Sequence, residues 1–338
     1  MILFSAYFLS FSLVKLDQKN SSLNYKIWCK TSYLLAIILW FCSEKVGAQI
    51  LPDDSLNTQV NQNNGIAEIT GGQTRGNNQF HSFQQFSLPS GNEAFFNNSN
   101  NIANIFSRVT GGNLSNIDGL IRANGGANLY LINPAGIIFG KNASLDIGGS
   151  FLGSTADSIL FPDGVEFSAN DPQAQPLLSI NAPIGLNLGD NPGQIINRSV
   201  AGGLVENLEF VRPKFTIEQT PIGLQVKPGN NLSLIGGDVR LENGNIYAPS
   251  GKVELGGLEE AGIVSISENG SLNFPEDKAR SNLSLTNFQQ LEFGSIVNVA
   301  GEDGGSIKVH GRNLELSGRS FFFAGIKEAS NTPNAQAG

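Results

Sequence analysis

Cysteine, histidine, methionine and charge are all scarce in this chain. Its 338 residues include two Cys, two His, one Met and two Trp. A structural zinc or iron–sulfur site needs about four thiol or imidazole ligands at close spacing, and Cys29, Cys42, His81 and His310 form no such cluster. No metal site, no cofactor site and no catalytic residue is therefore expected. Charged residues make up only 15% of the chain although 40% is hydrophobic. A soluble helical protein covers its surface with Lys, Arg and Glu, so the polar surface here has to come from uncharged side chains. The balance is acidic, with 21 basic and 29 acidic residues and a formal charge of −8. Nucleic-acid binding is disfavoured, because neutralising phosphates needs clustered Lys and Arg. What abounds is Gly (40) and Asn (38), with 14 Pro. That composition excludes a long helical bundle.

The front of the chain reads as a leader. Lys26 and Lys30 precede an apolar run, Ser32–Cys42, of 11 residues. A stable bilayer span needs roughly 20, so a long Sec-type signal peptide over residues 1–48 is the expectation. Val46-Gly47-Ala48 places small residues where a signal peptidase reads, with cleavage between Ala48 and Gln49. Met1–Leu16 is a second apolar stretch, which makes the leader unusually long. Removing 1–48 leaves 290 residues with 16 basic and 27 acidic side chains, a balance of −11, and no cysteine. A disulfide framework is thereby excluded. Stability has to come from burial and hydrogen bonding.

The remaining chain alternates short Leu, Ile, Val and Phe runs with Gly and Asn, which tolerate positive φ and build turns. Period-2 alternation is the strand signal. Apolar pairs two residues apart occur at Leu232/Leu234, Val239/Leu241, Ile246/Ala248, Val253/Leu255 and Val264/Ile266. They continue at Leu272/Phe274, Leu283/Leu285, Leu291/Phe293, Val297/Val299, Ile307/Val309 and Leu314/Leu316. From Leu232 to Leu314 the mean step is 8.2 residues, so three strands per turn give a coil of about 25, and the tighter steps give 21. The similar segments Leu234–Gly237 and Glu254–Gly257 recur 20 residues apart. Such periods are those of stacked solenoids. The fold class expected is all-β, a parallel β-helix whose alternate side chains stack inside as apolar columns. A sandwich or barrel fits less well, since clear two-residue Asn-Gly hairpins, which antiparallel sheets favour, are not expected here.

Solenoid ends expose unpaired backbone and call for caps. Gln49–Gly112, rich in Asn, Gln and Phe, is read as an N-terminal cap plus first coils. The Pro-rich stretch 161–195 is read as an excursion forming a hairpin or extra strands on one face. The domain expectation is 49–225 for the capped first part, 226–330 for further coils and 331–338 for a polar tail, with the chain open to being a shortened relative of a longer protein.

Phe86–Ala156 carries a resemblance. Several spaced elements occur in order: Phe86-Ser87-Leu88-Pro89-Ser90-Gly91-Asn92, then Asn104-Ile105-Phe106-Ser107-Arg108-Val109-Thr110-Gly111-Gly112, then Asn133-Pro134-Ala135-Gly136-Ile137. This resembles the haemagglutination-activity, or two-partner secretion, domain of filamentous-haemagglutinin-like exoproteins, in its cyanobacterial form. The family's Asn-Pro-Asn-Gly-Ile element has Ala135 here in place of the second Asn. The resemblance implies a right-handed, single-stranded, pectin-lyase-like β-helix with a capped start and extra-helical hairpins. It also implies a partner: an outer-membrane β-barrel transporter whose POTRA-type periplasmic domains recognise the chain and pass it to the cell surface. Family members serve as adhesins, so surface glycans and host or neighbouring cells are further partners. Asn133, Pro134, Gly136 and Ile137 are the candidate recognition or structural motif. Turn chemistry favours the structural role, with Pro fixing φ, Gly accepting positive φ, and Ile137, Ile138 and Phe139 docking in the core.

Few side chains outside this motif carry candidate chemistry. His81, His310, Arg108 and Arg122 read as surface or turn residues, and 301–306 as a turn rather than a calcium-binding repeat. No nucleophile elbow, P-loop or dinucleotide fingerprint occurs. The rival reading is a β-helix polysaccharide lyase or hydrolase using Asp238, Arg240, Glu242, Lys252 and Glu254, although ordinary solvated strands carry the same residues.

Overall fold

The computed structural model describes residues 49–170, 178–211, 214–289 and 293–326. The expected leader, including Ala48, and the tail 331–338 lie outside the described residues. Strands, turns and bends are the only regular structure among those described.

Three parallel ladders wrap one core. The first face is built by Asn78–Ser87, Asn104–Val109, Asn128–Ile132, Phe151–Ser154, Leu232–Gly236, Lys252–Gly257 and Ser306–His310. The second comprises Ser115–Ile117, Ile137–Phe139, Ile195–Asn197, Val239–Glu242, Leu283–Thr286 and Leu314–Leu316. The third runs from Ile66–Gly71 through Glu93–Phe96, Leu120–Ala123 and Ser144–Asp146. It continues as Leu224–Gln225, Ile246–Tyr247, Ile296–Asn298 and Phe321–Phe323. Each turn of chain visits all three faces, which is the right-handed parallel β-helix. The stack passes through residue 225 without interruption, and a single apolar column runs from Ile50 to Val299.

Alternation explains the interior. Leu232, Leu234, Val239, Leu241, Ile246, Ala248, Val253 and Leu255 all point inward and are buried, because successive strand residues face opposite sides. Equivalent first-face positions lie 26, 24 and 22 residues apart through the first coils, 81 apart across the first excursion and 21 apart in the coil after it. Two expectations need correction. Val264/Ile266 and Leu272/Phe274 lie in and beside a separate antiparallel sheet and are not coil strands. The repeat spaced at 20 pairs at 21, with Leu234 opposite Leu255 and Gly236 opposite Gly257. A one-residue slip would turn Leu255 out to solvent.

The start is capped by antiparallel pairing. Gln49–Pro52 and Gln73–Arg75 both run against Asn78–Ser87, and Thr58–Asn63 folds back on Ile66–Gly71. The loop of that hairpin is Asn64-Gly65, both residues at positive φ, a two-residue Asn-Gly turn that corrects the expectation that none occurs. Ile50, Leu56, Ala67 and Ile69 are buried there. Two chain excursions form the antiparallel sheet. Ser158–Leu160, Glu166–Ser168 and Gly185–Leu188 come from the first, and Gly262–Ile266 and Leu272–Asn273 from the second. This sheet lies over the outer side of the first face. Between them is a second core that includes Phe80, Phe106, Ile132, Leu152, Phe161, Phe167, Leu186 and Val264. A further hairpin pairs Leu204–Val211 with Lys214–Pro221.

Candidate functional site

Asn133-Pro134-Ala135-Gly136 is the corner between Asn128–Ile132 and Ile137–Phe139. Asn133 is buried and occupied throughout. Its Nδ2 donates to Asn113 O at 2.9 Å and Ser115 Oγ at 2.8 Å, and its Oδ1 accepts from Ala135 N at 3.0 Å. Its own N–H donates to Ser154 O of the next coil, and its carbonyl accepts from Gly136 N, closing the turn. Gly136 has φ +123°, and a Cβ there would lie 3.0 Å from Leu114 Cδ1 and 3.1 Å from Gln194 O. The corner is thus clamped between the coil before and the coil after. Ile137 and Phe139 point inward and are buried, whereas Ile138 takes the outward position between them, which corrects its expected place in the core. Pro134 and Ala135 are the half-exposed part of the motif.

The lead-in to this corner is an amide ladder. Asn104 Nδ2 donates to Asn78 Oδ1, and Asn128 Nδ2 to Asn104 Oδ1, each at 2.9 Å. Ser150 N donates to Asn128 Oδ1 at 2.8 Å, carrying the ladder to the next rung. The first excursion caps it, since Asn78 Nδ2 donates to Ser179 O and Asn181 O.

Arg108 is the main correction. Expected at the surface, it is 0% exposed. Its Nε donates to Ser82 Oγ at 2.7 Å, its Nη2 to Ser55 Oγ at 3.0 Å and its Nη1 to Ser168 O. The guanidinium lies 4.9 Å from the centre of the Phe167 ring. Ser82 in turn donates to Asp53 Oδ2 at 2.5 Å, and Thr110 Oγ1 to the same oxygen at 2.8 Å. Burial works against the Asp53 carboxylate, but hydrogen bonds from Ser82, Ser55 and Thr110 hold it below its ordinary range. This network ties the N-terminal segment, two coils and the covering sheet together. Arg122 is half-exposed, paired with Glu93 and 3.7 Å from the Phe95 ring centre.

Both histidines also depart from expectation. His81 is 1% exposed, between Thr58 at 3.4 Å and the Phe83 and Phe96 rings. Burial pulls its pKa down to about 3, so it is neutral. His310 stacks on Phe274 at 4.4 Å and faces Glu254 at 3.8 Å.

The five charged residues of the lyase-like reading do not converge. Asp238 caps Asn282, and Glu242 pairs with Arg198 and Arg240 on the second face. Lys252 and Glu254 stand on the first face, where Lys252 Nζ donates to Ser271 and Glu254 accepts from Leu272 N under the second excursion. Burial pushes the Glu254 carboxyl up, but the facing His310, Leu272 N–H, Lys308 and Lys252 hold it below its ordinary value. Glu242 and Glu254 are buried and so are not the solvated strand residues expected, whereas Asp238 is exposed as expected. No cluster of metal-ligating side chains occurs among the described residues.

No sequence signal singled out Arg108. Ile105-Phe106, Leu131-Ile132, Phe151-Leu152 and Leu234-Ile235 are adjacent apolar pairs in first-face strands, as expected of a strand buried on both sides. The same pattern occurs on the other faces at Phe95-Phe96, Leu120-Ile121, Ile137-Ile138 and Ile195-Ile196, so it does not mark the covered face.

The model of the TPS secretion domain family matches residues 48–309. No curated protein matches the chain. The crystal structure of the HMW1 secretion domain from Haemophilus influenzae is similar at 18% identity and a TM-score of 0.44, covering 84% of this chain and 67% of that one. The crystal structure of a filamentous hemagglutinin secretion domain is similar at 15% identity and a TM-score of 0.35, covering 81% and 98%.

Proposed function

Because the chain belongs to the TPS secretion domain family, we propose that it is the recognised N-terminal part of an exported adhesin. A periplasmic POTRA-type domain of an outer-membrane β-barrel transporter reads it and passes it to the cell surface. The non-enzymatic part of this reading is supported by the dispersal of Asp238, Arg240, Glu242, Lys252 and Glu254 over two faces. Surface glycans or neighbouring cells are the partners of the exported coil stack.

The observation that carries the reading is the family match over residues 48–309, joined by the form of the cap. Thr58–Asn63 pairs with Ile66–Gly71 on one side, and its other edge has no strand partner among the described residues. A free edge accepts a strand from a partner by backbone hydrogen bonding. The cysteine-free chain after residue 48 and its coil-to-coil contacts suit passage in an extended state followed by stepwise folding.

The test is co-precipitation of the purified exported chain with the periplasmic domains of its barrel partner, with secretion scored in cells. Retention is expected, and its loss with Val60→Pro, since the Val60 N–H faces the free edge; Gln59→Pro is the control, since the Gln59 N–H belongs to the pairing with Ile66–Gly71 and its loss reports on the hairpin itself. No retention of the wild-type chain would sink the reading. Asn133→Ala and Gly136→Ala separate the motif's roles. As a structural corner it costs about 1–3 kcal/mol of stability per substitution while the folded fraction still binds. Undiminished stability with lost binding would assign direct contact instead.

A further inference from the structure

The covering sheet leaves one part of the first face open. A cleft of about 410 Å³ lies between the two excursions and the outer side of strands Asn128–Ile132, Phe151–Ser154 and Leu232–Gly236. That volume falls within the roughly 300–1,000 Å³ of small-ligand pockets.

Its lining has two halves. Asn104, Asn128, Asn231 and Ser233 supply amides and a hydroxyl from the floor, and Glu268 adds a carboxylate at the wall. Tyr130, Leu152, Pro183, Ile266 and Leu272 supply apolar surface. No Lys or Arg lines it, so a phosphate, sulfate or uronate finds no counter-charge there. The floor strands are hydrogen-bonded to neighbours on both sides, so an extended peptide cannot add to them as a strand. Recognition has to use side chains.

Those side chains are held in place before any ligand arrives. The ladder fixes which end of each amide is oxygen, and Asn104 and Asn128 each commit one N–H to it, leaving the second available. The Tyr130 ring is set by stacking on Phe106 at 4.7 Å, and its hydroxyl has no hydrogen-bond partner among the described residues. Groups already ordered lose little entropy on binding. Neutral donors and acceptors beside an aromatic ring and aliphatic walls match a pyranose, which presents hydroxyls at its rim and C–H groups on its faces. We propose that this cleft is a binding site for neutral saccharide, in which Tyr130 carries the sugar face and the Asn104–Asn128 amides, Ser233 and Glu268 bond its hydroxyls. It deepens the adhesive part of the reading above and is independent of the secretory part.

The experiment is saturation-transfer NMR on the purified exported chain, without the transporter. The probes are cellobiose, lactose, diacetylchitobiose and mannobiose, with a heparin disaccharide and glucose 6-phosphate as charged controls. Saturable binding of at least one neutral sugar at millimolar concentration is expected, and none of the charged probes. Tyr130→Ala should weaken binding about tenfold or more, and Tyr130→Phe less, since the ring remains. Should Tyr130→Ala fail to fold, Glu268→Ala and Ser233→Val give the same reading from the rim and floor. Absence of saturable transfer from every neutral probe would overturn the proposal. So would equal binding of the heparin disaccharide, or binding indifferent to both Glu268→Ala and Ser233→Val. Because no transporter is present, failure here leaves export unaffected, and failed export leaves this result standing.

Discussion

The first and second faces share one inward core but differ on their outer sides. Outward positions on the first face include Phe80, Phe106, Ile132, Leu152 and Ile235, all buried beneath the antiparallel sheet. On the second face Asn116, Arg240 and Glu315 stand in the same relation to the core and are exposed, and only some outward residues there, such as Ile196 and Glu242, are buried. Coil geometry therefore does not decide what a face becomes. The outward residues and the excursions that meet them do. The first face has turned a solenoid wall into the middle layer of a sandwich.

Substitutions can break this contrast at points of decreasing cost. Phe106→Ala removes a ring in contact with Phe80, Phe161 and Tyr130, and a loss of about 3–5 kcal/mol is expected in urea unfolding. Ser82→Ala takes an acceptor from the buried Arg108 and a donor from Asp53. The expected loss is about 1.5–3 kcal/mol, the range for hydrogen bonds to charged groups, read from the same transition. His81 sharpens the contrast through pH. Its folded pKa is depressed from 6.5 to about 3 by burial, so the unfolded chain takes up a proton that the folded one refuses. Its contribution is fully present above pH 6.5 and declines as pH falls towards 3. By pH 5 the loss is roughly 2 kcal/mol, and His81→Phe should flatten that part of the stability–pH curve. Arg240→Ala, on the uncovered face, should change stability by no more than about 0.5 kcal/mol. A cost comparable to that of Phe106→Ala would mean that the second face is covered too.

The inward columns were legible in the sequence because alternation reports which side chains share a face. Leu232/Leu234 through Val253/Leu255 fall where alternation puts them. Strand direction is not contained in alternation, which is why Val264/Ile266 passed for a coil strand while lying antiparallel to Gly185–Leu188. Register was legible in the apolar pairs, whose tighter steps give the observed 21, but not in the similarity at a spacing of 20, which ignores which side of the sheet each Leu must face. The Asn133–Gly136 turn could be read from Pro and Gly chemistry. What clamps it, Asn113 and Ser115 on one side and Gln194 on the other, lies in other coils and could not. Arg108 and His81 were missed for the same reason. A lone polar residue in a strand is exposed or buried according to what distant segments bring to it, here Ser55 and Ser168 for Arg108, and Thr58 for His81.

The antiparallel sheet joins pieces far apart along the chain, with Gly185–Leu188 beside Gly262–Ile266. A polypeptide emerging from its N-terminus completes several coils before the second excursion arrives. For part of that time the first excursion alone covers the outer aromatic patch, and the edge of Gly185–Leu188 that will pair with Gly262–Ile266 stays open to water. Slowing emergence between residues 190 and 262 lengthens the wait, and with it the interval in which a neighbouring molecule can adhere to the unfinished layer.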